Sequence, residues 1–306
     1  MPEPAVTRAN TAPDSFAQSP VPRTVPGNAW HGALAGIGLR REIASQLAAA
    51  AEGSFDFVEI APENWIGIGG QHAQTLRQFS ERFPLALHGL SLNIGGFAPL
   101  DLELLKSIGA FIKQHDCPVY SEHLSYCADH GHLYDLMPIP FTRDAITRVV
   151  ERVRQVQDII GRRIALENVS YYAAPGQEMT ELEFINAVVA EADCDILLDV
   201  NNVFVNSINH CYDPYAFMRG LPAERIVYMH IAGHYVEAED LRVDTHGAAV
   251  IQPVWQLLDA AYELFGLKPT LLERDFNFPP LPDLLAELTC IRQRQAAYCA
   301  THGIAV

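Results

Sequence analysis

Short apolar runs alternate with longer amphipathic stretches along most of this chain, and this alternation limits the fold more than any other sequence feature. Each run is four to six residues long and nearly continuously apolar, which is typical of strands that are buried on both faces. We predict eight such strands, at residues 34–39, 55–60, 85–88, 119–123, 164–167, 196–199, 226–230 and 270–273.

The stretches between the runs carry apolar residues three and four positions apart, as helices do. One predicted helix begins after Thr142 as its N-cap and ends at Gly161, and another begins after Asp101. A strand followed by a helix, repeated eight times, predicts an α/β protein with one closed parallel (β/α)8 barrel, a TIM barrel. The alternative is an open doubly wound sheet. Such a sheet usually begins with a glycine-rich turn, and the segment GIGL at 36–39 lacks its third glycine.

Length and composition suggest one folded domain. The chain has 306 residues, and a barrel of this kind takes about 250 residues. We predict a catalytic barrel domain at 31–306. Residues 1–30 are rich in Pro, Ala, Ser and Thr and lack apolar periodicity, so we expect a disordered or loosely attached tail there.

The charge and the cysteines exclude several classes of function. A net charge of −16 disfavours binding to nucleic acid or to an anionic membrane surface, because both need clustered Lys and Arg. No stretch reaches the ~18 apolar residues of a membrane span, and no secretory signal is visible, so we expect a cytoplasmic protein. Six cysteines occur without C-x-x-C pairs, which fits a reducing compartment better than a disulfide framework or a thiolate zinc site.

Polar residues with metal-binding side chains close nearly every predicted strand. Barrel enzymes carry their chemistry at the carboxyl-terminal ends of the strands, so these residues should meet at one rim. They are Glu59, His88, Glu122, His123, Glu167, Asn168, Asp199, Asn201, Asn202, His230 and Glu273.

The segment RIVYMHIAGHYVEAEDLRVDTHG at 225–247 adds Asp244 and His246 to this set. A carboxylate and an imidazole two positions apart in an extended loop can share one divalent ion. Taken alone, the segment fits a solvated loop equally well. The whole set does not, because buried carboxylates and imidazoles on one rim are costly unless cations compensate them. Ligands without thiolates suit iron, manganese or zinc, and we predict a multinuclear catalytic centre.

The order of these residues resembles the metal constellation of the xylose-isomerase-like barrels, which include the apurinic endonucleases. More closely, the chain resembles the multinuclear non-haem iron oxidative enzymes, a family that includes methanobactin-forming and bufferin-modifying enzymes. The resemblance extends from residue 36 to about residue 294 and rests on seven segments, LHGLSLNIGG, SEHLSY, LENVSYY, LLDVNNVFVNS, MHIAGH, DTHG and LLERD.

The resemblance implies a barrel that holds two or three irons and uses dioxygen to oxidise a residue, most often cysteine, of a ribosomally made peptide. A small partner protein that presents the peptide is also implied. It assigns His88, His123 and Glu167 to one iron. Asp199, His230 and Glu273, with Glu167 shared, would hold a second, and Asn202, Asp244 and His246 a third, weaker one. We expect Glu167, Asp199 and His230 to be catalytic as well as metal-binding.

Other polar residues receive supporting roles or none. Glu59, Glu122, Asn168, Asn201 and His234 are expected to orient the ligands. His72, His115 and His302 are expected at the surface, His31 stays unassigned, and His130, His132 and His210 are either substrate contacts or surface residues. We expect loops at 62–71, 124–140 and 203–214 to wall the rim. Their aromatic residues, Trp65, Tyr126, Tyr134, Phe204 and Tyr212, pack either on a peptide or on one another.

Two alternatives to a peptide-cysteine oxidase remain open. One is a zinc- or manganese-dependent hydrolase or isomerase on the same barrel, for which the −16 charge disfavours a DNA substrate. The other is a non-catalytic protein that stores metal or binds a partner. The sequence leaves the oligomeric state open.

Overall fold

The computed structural model describes residues 30–128 and 131–304. Within these ranges the strands are β1 Ala35–Gly38, β2 Phe57–Ile60, β3 Leu85–Gly89, β4 Tyr120–His123, β5 Tyr126–Ala128, β6 His132–Met137, β7 Ala165–Glu167, β8 Asp195–Asp199, β9 Ile226–Ile231, β10 Tyr235–Ala238, β11 Leu241–Val243 and β12 Thr270–Leu272. The α-helices are α1 Ala44–Ala48, α2 Gly70–Ser80, α3 Leu102–His115, α4 Arg143–Ile160, α5 Glu181–Ala192, α6 Val200–Asn209, α7 Pro214–Arg219, α8 Gln252–Phe265 and α9 Leu281–His302.

Eight parallel strands close into a barrel in the order β1-β12-β9-β8-β7-β4-β3-β2. The predicted (β/α)8 fold is therefore confirmed, and each predicted strand overlaps an observed one with ends that agree within two residues. The other four strands form two antiparallel hairpins, β5-β6 after β4 and β10-β11 after β9. Both hairpins follow the carboxyl ends of barrel strands, so they rise from the rim predicted to carry the chemistry.

Local sequence signals set the ends of the predicted helices. The Thr142 side chain accepts a hydrogen bond from the Ala145 N–H at the start of α4, and Gly161 ends it in the left-handed region with a φ of 78°. Asp101 caps α3 in the same way, accepting from the N–H groups of Glu103 and Leu104. Both predicted caps are confirmed.

The barrel interior is built in two layers, because side chains two residues apart on a strand face the same side. The lower layer is apolar and buried, and it consists of Phe57, Ala86, Val119, Ala165, Leu197, Tyr228 and Leu271. Trp30 packs against this layer, with its ring 4.8 Å from Phe57 and 5.5 Å from Tyr228. In six of the seven strands the next inward position is a candidate ligand or ligand-orienting residue, so the polar rim stands on an apolar floor.

The segment at 203–214, predicted as a loop, is mostly helical in the structure. Asp199 caps α6 by accepting from the Asn202 N–H, so the helix begins directly after β8. The predicted loop there was wrong because Asp199 allows the chain to turn into a helix without a linker. The loop at 124–140 contains the β5-β6 hairpin, and 62–71 contains a 3-10 turn at Pro62–Asn64 and the start of α2. The predicted tail, apart from Trp30, lies outside the described residues.

Among the described residues, no helix is both long enough and apolar enough to cross a membrane.

Candidate metal centre

Three side chains from neighbouring strands meet at the rim above β3, β4 and β7. His88 Nε2 lies 2.9 Å from Glu167 Oε2, and His123 Nε2 lies 3.3 Å from the same oxygen. The two imidazole Nε2 atoms are 3.0 Å apart. The ligand atoms of His88, His123 and Glu167 thus lie close enough to share one metal ion, as the resemblance implied.

A second group shares Glu167 with the first. It contains Glu167, Asp199, His230 and Glu273, all of which are buried. His230 Nδ1 lies 3.0 Å from Glu273 Oε2. These are the four side chains assigned to the second iron, and the position of Glu167 in both groups suits a carboxylate shared between ions.

The third group is centred on His246 and differs from the prediction. His246 Nε2 lies 2.7 Å from Asp244 Oδ1, whereas Nδ1 lies 3.0 Å from Asp275 Oδ2 and 3.4 Å from Glu273 Oε2. Asp275 was not predicted, although it stands two positions after Glu273 in the segment LLERD. That spacing, the same as between Asp244 and His246, is the sequence signal that could have identified it.

Asn202 sits beside the shared carboxylate rather than beside His246. Its Nδ2 donates to Glu167 Oε1 at 3.3 Å and to the Asn168 carbonyl at 3.1 Å. The neighbouring residue Asn201 is the one that contacts Asp244, donating from Nδ2 to Oδ1 at 2.9 Å. Asn202 as a ligand of the third ion therefore stays a prediction.

Six buried oxygen and nitrogen atoms that could ligate a metal lack hydrogen-bond partners among the described residues. They are Glu167 Oε2, Asp199 Oδ2, Asn202 Oδ1, His230 Nδ1, His246 Nε2 and Glu273 Oε2. Two of them, His230 Nδ1 and Glu273 Oε2, lie 3.0 Å apart without the alignment of a hydrogen bond, as ligands of one cation do. Buried polar atoms are normally paired, so this set fits one or more divalent ions with oxygen and imidazole ligands.

Hydrogen bonds on the outer side of each histidine select the ring nitrogen that faces the centre. The four outer bonds are His88 Nδ1 to Ser121 Oγ at 2.8 Å, His123 Nδ1 to the Gly89 carbonyl at 2.9 Å, His230 Nε2 to Glu59 Oε2 at 2.8 Å, and His246 Nδ1 to Asp275 Oδ2 at 3.0 Å. Carbonyl and carboxylate oxygens only accept, so in the neutral ring the bonded nitrogen carries the proton and the other offers a lone pair. Ser121 Oγ donates to the Leu87 carbonyl and is left to accept from His88.

Four of the five residues predicted to orient ligands are placed to do so. Glu59 Oε2 accepts from His230 and also from the Tyr228 hydroxyl at 3.0 Å. Asn168 forms two bonds with the Asp199 backbone, at 3.0 and 2.9 Å. Asn201 links His234 to Asp244. Its Oδ1 accepts a hydrogen bond from His234 Nδ1 at 2.8 Å, while its Nδ2 donates to Asp244 Oδ1.

Glu122 was the wrong choice as an orienting residue. It precedes His123 on β4, so its side chain faces away from the barrel interior, where it accepts a hydrogen bond from the Tyr120 hydroxyl. A Cβ at Gly89 would collide with this carboxyl group, so the glycine makes room for it. Burial, together with the charge of Glu63, raises the pKa of Glu122 well above its usual value.

The remaining histidines lie away from the centre. His31, His72 and His302 are exposed and His115 is half-buried. His210 donates from Nε2 to the Tyr171 carbonyl at 2.8 Å and stacks on the Tyr171 ring, so it packs within the protein. His130 lies outside the described residues, and the side chain of His132 is not described.

Burial sets the protonation of the carboxyl groups at the centre. It raises the pKa of Glu167 to about 7, and with the charge of Glu167 it raises the pKa of Asp199 well above the usual value. Burial also opposes ionisation of Glu273, but His246 and His230 hold the pKa of Glu273 well below its usual range. Divalent ions and protons compete for these donor atoms, so metal binding here would release protons.

A cavity of about 1120 Å³ opens from the centre to solvent through the rim. Besides candidate ligands, its lining includes Arg40, Arg41, Trp65, Tyr126 and Met137. Of the predicted wall aromatics, Trp65 and Tyr126 face this space. Phe204 instead stacks on His234 and Tyr212 on Phe217, and the side chain of Tyr134 is not described.

Comparison with known proteins identifies the family. A family model described as RiPP precursor modification enzyme MbnB/TglH/ChrH, where RiPP denotes a ribosomally made and post-translationally modified peptide, matches residues 34–296. The chain belongs to this family. It is therefore an enzyme of the class that modifies ribosomally made precursor peptides, and the resemblance noted in the sequence is confirmed.

A curated relative and two solved structures are also similar to this chain. A UPF0276 protein from Shewanella sediminis is 57% identical over 265 residues, covering 87% of this chain and 95% of the relative. A xylose isomerase domain protein from Planctomyces limnophilus matches with a TM-score of 0.58 at 14% identity, covering 87% of this chain and 99% of that one. Endonuclease IV from Thermus thermophilus matches with a TM-score of 0.57 at 17% identity, covering 86% and 99%. The two structures show a shared xylose-isomerase-like barrel.

Proposed function

We propose that this enzyme is a multinuclear iron-dependent oxidase that uses dioxygen to modify cysteine residues of a precursor peptide. The observation that carries the proposal is the set of buried, unpartnered carboxylate, amide and imidazole atoms at the rim. Family membership supplies the substrate class. Iron, dioxygen and cysteine are what the resemblance in the sequence implied, and they are part of the proposal.

The donor set fits iron. His88, His123 and His230 each turn one imidazole nitrogen to the centre, and the shared and flanking carboxylates supply the negative charge that divalent ions need. Among the described residues no cysteine belongs to any of the three groups, which disfavours a structural thiolate zinc site. When bound, iron supplies the redox change that dioxygen chemistry requires and that zinc lacks.

The protein's own contribution is to fix the ligands and to shield them. Glu59, Ser121 and Asp275 hold three imidazoles in one tautomer, which keeps each lone pair turned to the centre. The apolar layer beneath the rim closes the barrel interior below the ligands. Among the described residues the centre opens towards the cavity, where a substrate cysteine has to enter.

The cavity suits a peptide segment rather than a folded domain. Its volume of about 1120 Å³ is slightly above the usual range of roughly 300–1,000 Å³ for ligand sites, and its lining mixes aromatic, apolar and charged side chains. We propose that a small partner protein presents the cysteine-containing peptide at this rim. We place the reaction in the cytoplasm, where a newly made peptide is available and its thiols stay reduced.

The test separates an oxidase from a metal hydrolase or isomerase. Iron-loaded enzyme, mixed with a cysteine-containing peptide encoded by a neighbouring gene and any small partner protein encoded there, should consume oxygen and change the mass of the peptide. Zinc-loaded enzyme should do neither, because a hydrolytic centre needs no electrons and an oxidase does. Replacing the peptide cysteine by serine should abolish the oxygen use that is coupled to product. Equal turnover of the zinc form without oxygen would refute the oxidase and favour the hydrolase or isomerase.

A further inference from the structure

Arg40 lies at the edge of the centre without being a candidate ligand. It follows β1, and its guanidinium group donates to Asp275 Oδ1 from Nε at 2.9 Å and from Nη2 at 2.7 Å. Nη2 also lies 3.6 Å from Glu273 Oε1. The preceding Gly38 provides space, because a Cβ there would lie 2.9 Å from Arg40 Nη1. The chain thus brings an arginine against a carboxylate 235 positions away.

The two oxygens of Asp275 have different partners. Oδ1 accepts both hydrogen bonds from Arg40, whereas Oδ2 accepts from His246 Nδ1 at 3.0 Å. His246 Nε2, on the other side of the ring, lies 2.7 Å from Asp244 Oδ1 but makes no aligned hydrogen bond among the described residues. His246 therefore stands between two carboxylates, and its tautomer decides which side offers a lone pair to a metal ion.

We propose that Arg40 is a positioning residue that holds Asp275 as the proton acceptor of His246 Nδ1 and so directs an ion to the Nε2 side, next to Asp244. This inference rests on the proposed metal centre. A forked guanidinium can hold one carboxylate oxygen and turn the other in a fixed direction, which a point charge does less well. Released from Arg40, Asp275 is free to turn, and His246, Glu273 and Asp275 become a competing group of donors.

Charge and orientation make opposite predictions for the loss of Arg40. If the positive charge of Arg40 mattered alone, its removal would tighten a nearby divalent ion, because like charges repel. If Arg40 acts through Asp275, its removal weakens the ion bound by His246. Outer partners of metal-binding histidines typically change affinity by about 10- to 100-fold. The sign of the change therefore distinguishes the two roles.

The experiment is an anaerobic titration of the full-length protein with Fe(II) against a competing chelator, with bound iron counted by elemental analysis. We expect Arg40→Gln and Asp275→Asn each to weaken the ion beside His246 by about 10- to 100-fold and to leave the others in place. In Asp275→Asn the single side-chain oxygen accepts from Arg40, so the NH2 group faces His246 Nδ1. An NH2 group donates, which favours the tautomer with the proton on Nε2 and removes the lone pair from the Asp244 side. The double variant should bind no more weakly than Asp275→Asn alone.

Two further variants complete the test. Arg41→Gln is the matched control, because Arg41 contacts the Asn64 carbonyl and the Trp65 ring rather than a carboxylate of the centre, and it should bind iron as the wild type does. Arg40→Lys keeps the charge but not the fork and should stay weakened, with an altered absorption spectrum in the Co(II)-loaded form.

The proposal is overturned if Arg40→Gln binds the ion as tightly as the wild type or more tightly, or if its effect adds to that of Asp275→Asn. Full recovery by Arg40→Lys would also overturn it. Should Arg40→Gln fail to fold, unchanged iron affinity of Asp275→Asn would overturn it instead. A wild-type protein that binds no iron would contradict the metal centre itself, which is a separate result.

Discussion

Glu167→Gln removes a charge that the first two ligand groups share. Glu167 Oε2 lies 2.9 Å from His88 Nε2 and 3.3 Å from His123 Nε2, and the same side chain belongs to the group of Asp199, His230 and Glu273. Glutamine keeps the shape of the side chain and can keep the bond from Asn202 to Oε1. It cannot bridge two cations, because its second terminal atom is a donor.

The expected loss is larger than that of an orienting residue. Changing an outer partner costs about 10- to 100-fold in affinity, so loss of a shared ligand should cost at least about 100-fold for each of two ions, or about 2.7 kcal/mol each. The fold should survive, since the metal-free protein loses a buried charge and therefore a desolvation cost. Metal affinity should thus fall while the stability of the metal-free protein stays equal or rises.

Elemental analysis after anaerobic loading, with a thermal unfolding curve of the metal-free protein, checks this prediction. We expect more than one equivalent of iron to be lost, turnover to be absent, and the melting temperature of the metal-free variant to equal or exceed that of the wild type. Glu122→Gln is a suitable control, because Glu122 is equally buried but faces away from the centre. Full iron content in Glu167→Gln would remove Glu167 from the metal site and refute the reasoning.

Two more predictions concern exposure and pH. A mild chelator should remove the ion beside His246 first, because Asp275, the hydrogen-bond partner of His246, is 40% exposed, whereas the most exposed side chain of the first group, His123, is 14% exposed. Earlier loss at His88, seen in spectra of partly depleted protein, would contradict this. Burial raises the pKa of Glu181 from 4.5 to about 8, so the folded state retains a proton that the unfolded state releases. The free energy of unfolding should therefore fall as pH rises from about 4.5 to 8, by up to about 5 kcal/mol at 1.36 kcal/mol per pH unit. In denaturant unfolding, Glu181→Gln should remove this dependence of stability on pH. An unchanged dependence in the variant would mean that Glu181 ionises normally.

Much of the candidate site was predictable from the sequence. The apolar runs fixed the eight strands, and their last residues placed His88, Glu167 and His230 on one rim. The alternation of side chains along a strand also predicts which neighbours of a ligand face away from the centre. Once His123 is taken to face inward, its neighbour Glu122 has to face outward.

Other parts of the site depended on contacts between distant segments. Asp275 was visible two positions after Glu273, but only the closed barrel places it against His246 and brings Arg40 to its other oxygen. Similarly, the adjacent residues Asn201 and Asn202 are both buried at the start of α6, and only the packing of that helix decides which one reaches Asp244.

The sequence by itself therefore determined the fold class, the helix caps and the residue types at the rim, because these follow from local periodicity and from hydrogen bonds between near neighbours. The tertiary structure alone decided which nitrogen of each histidine faces the centre and that Asp275 lies against His246. Those features depend on hydrogen bonds between side chains that closure of the barrel brings together from segments far apart in the chain, and no local pattern encodes them.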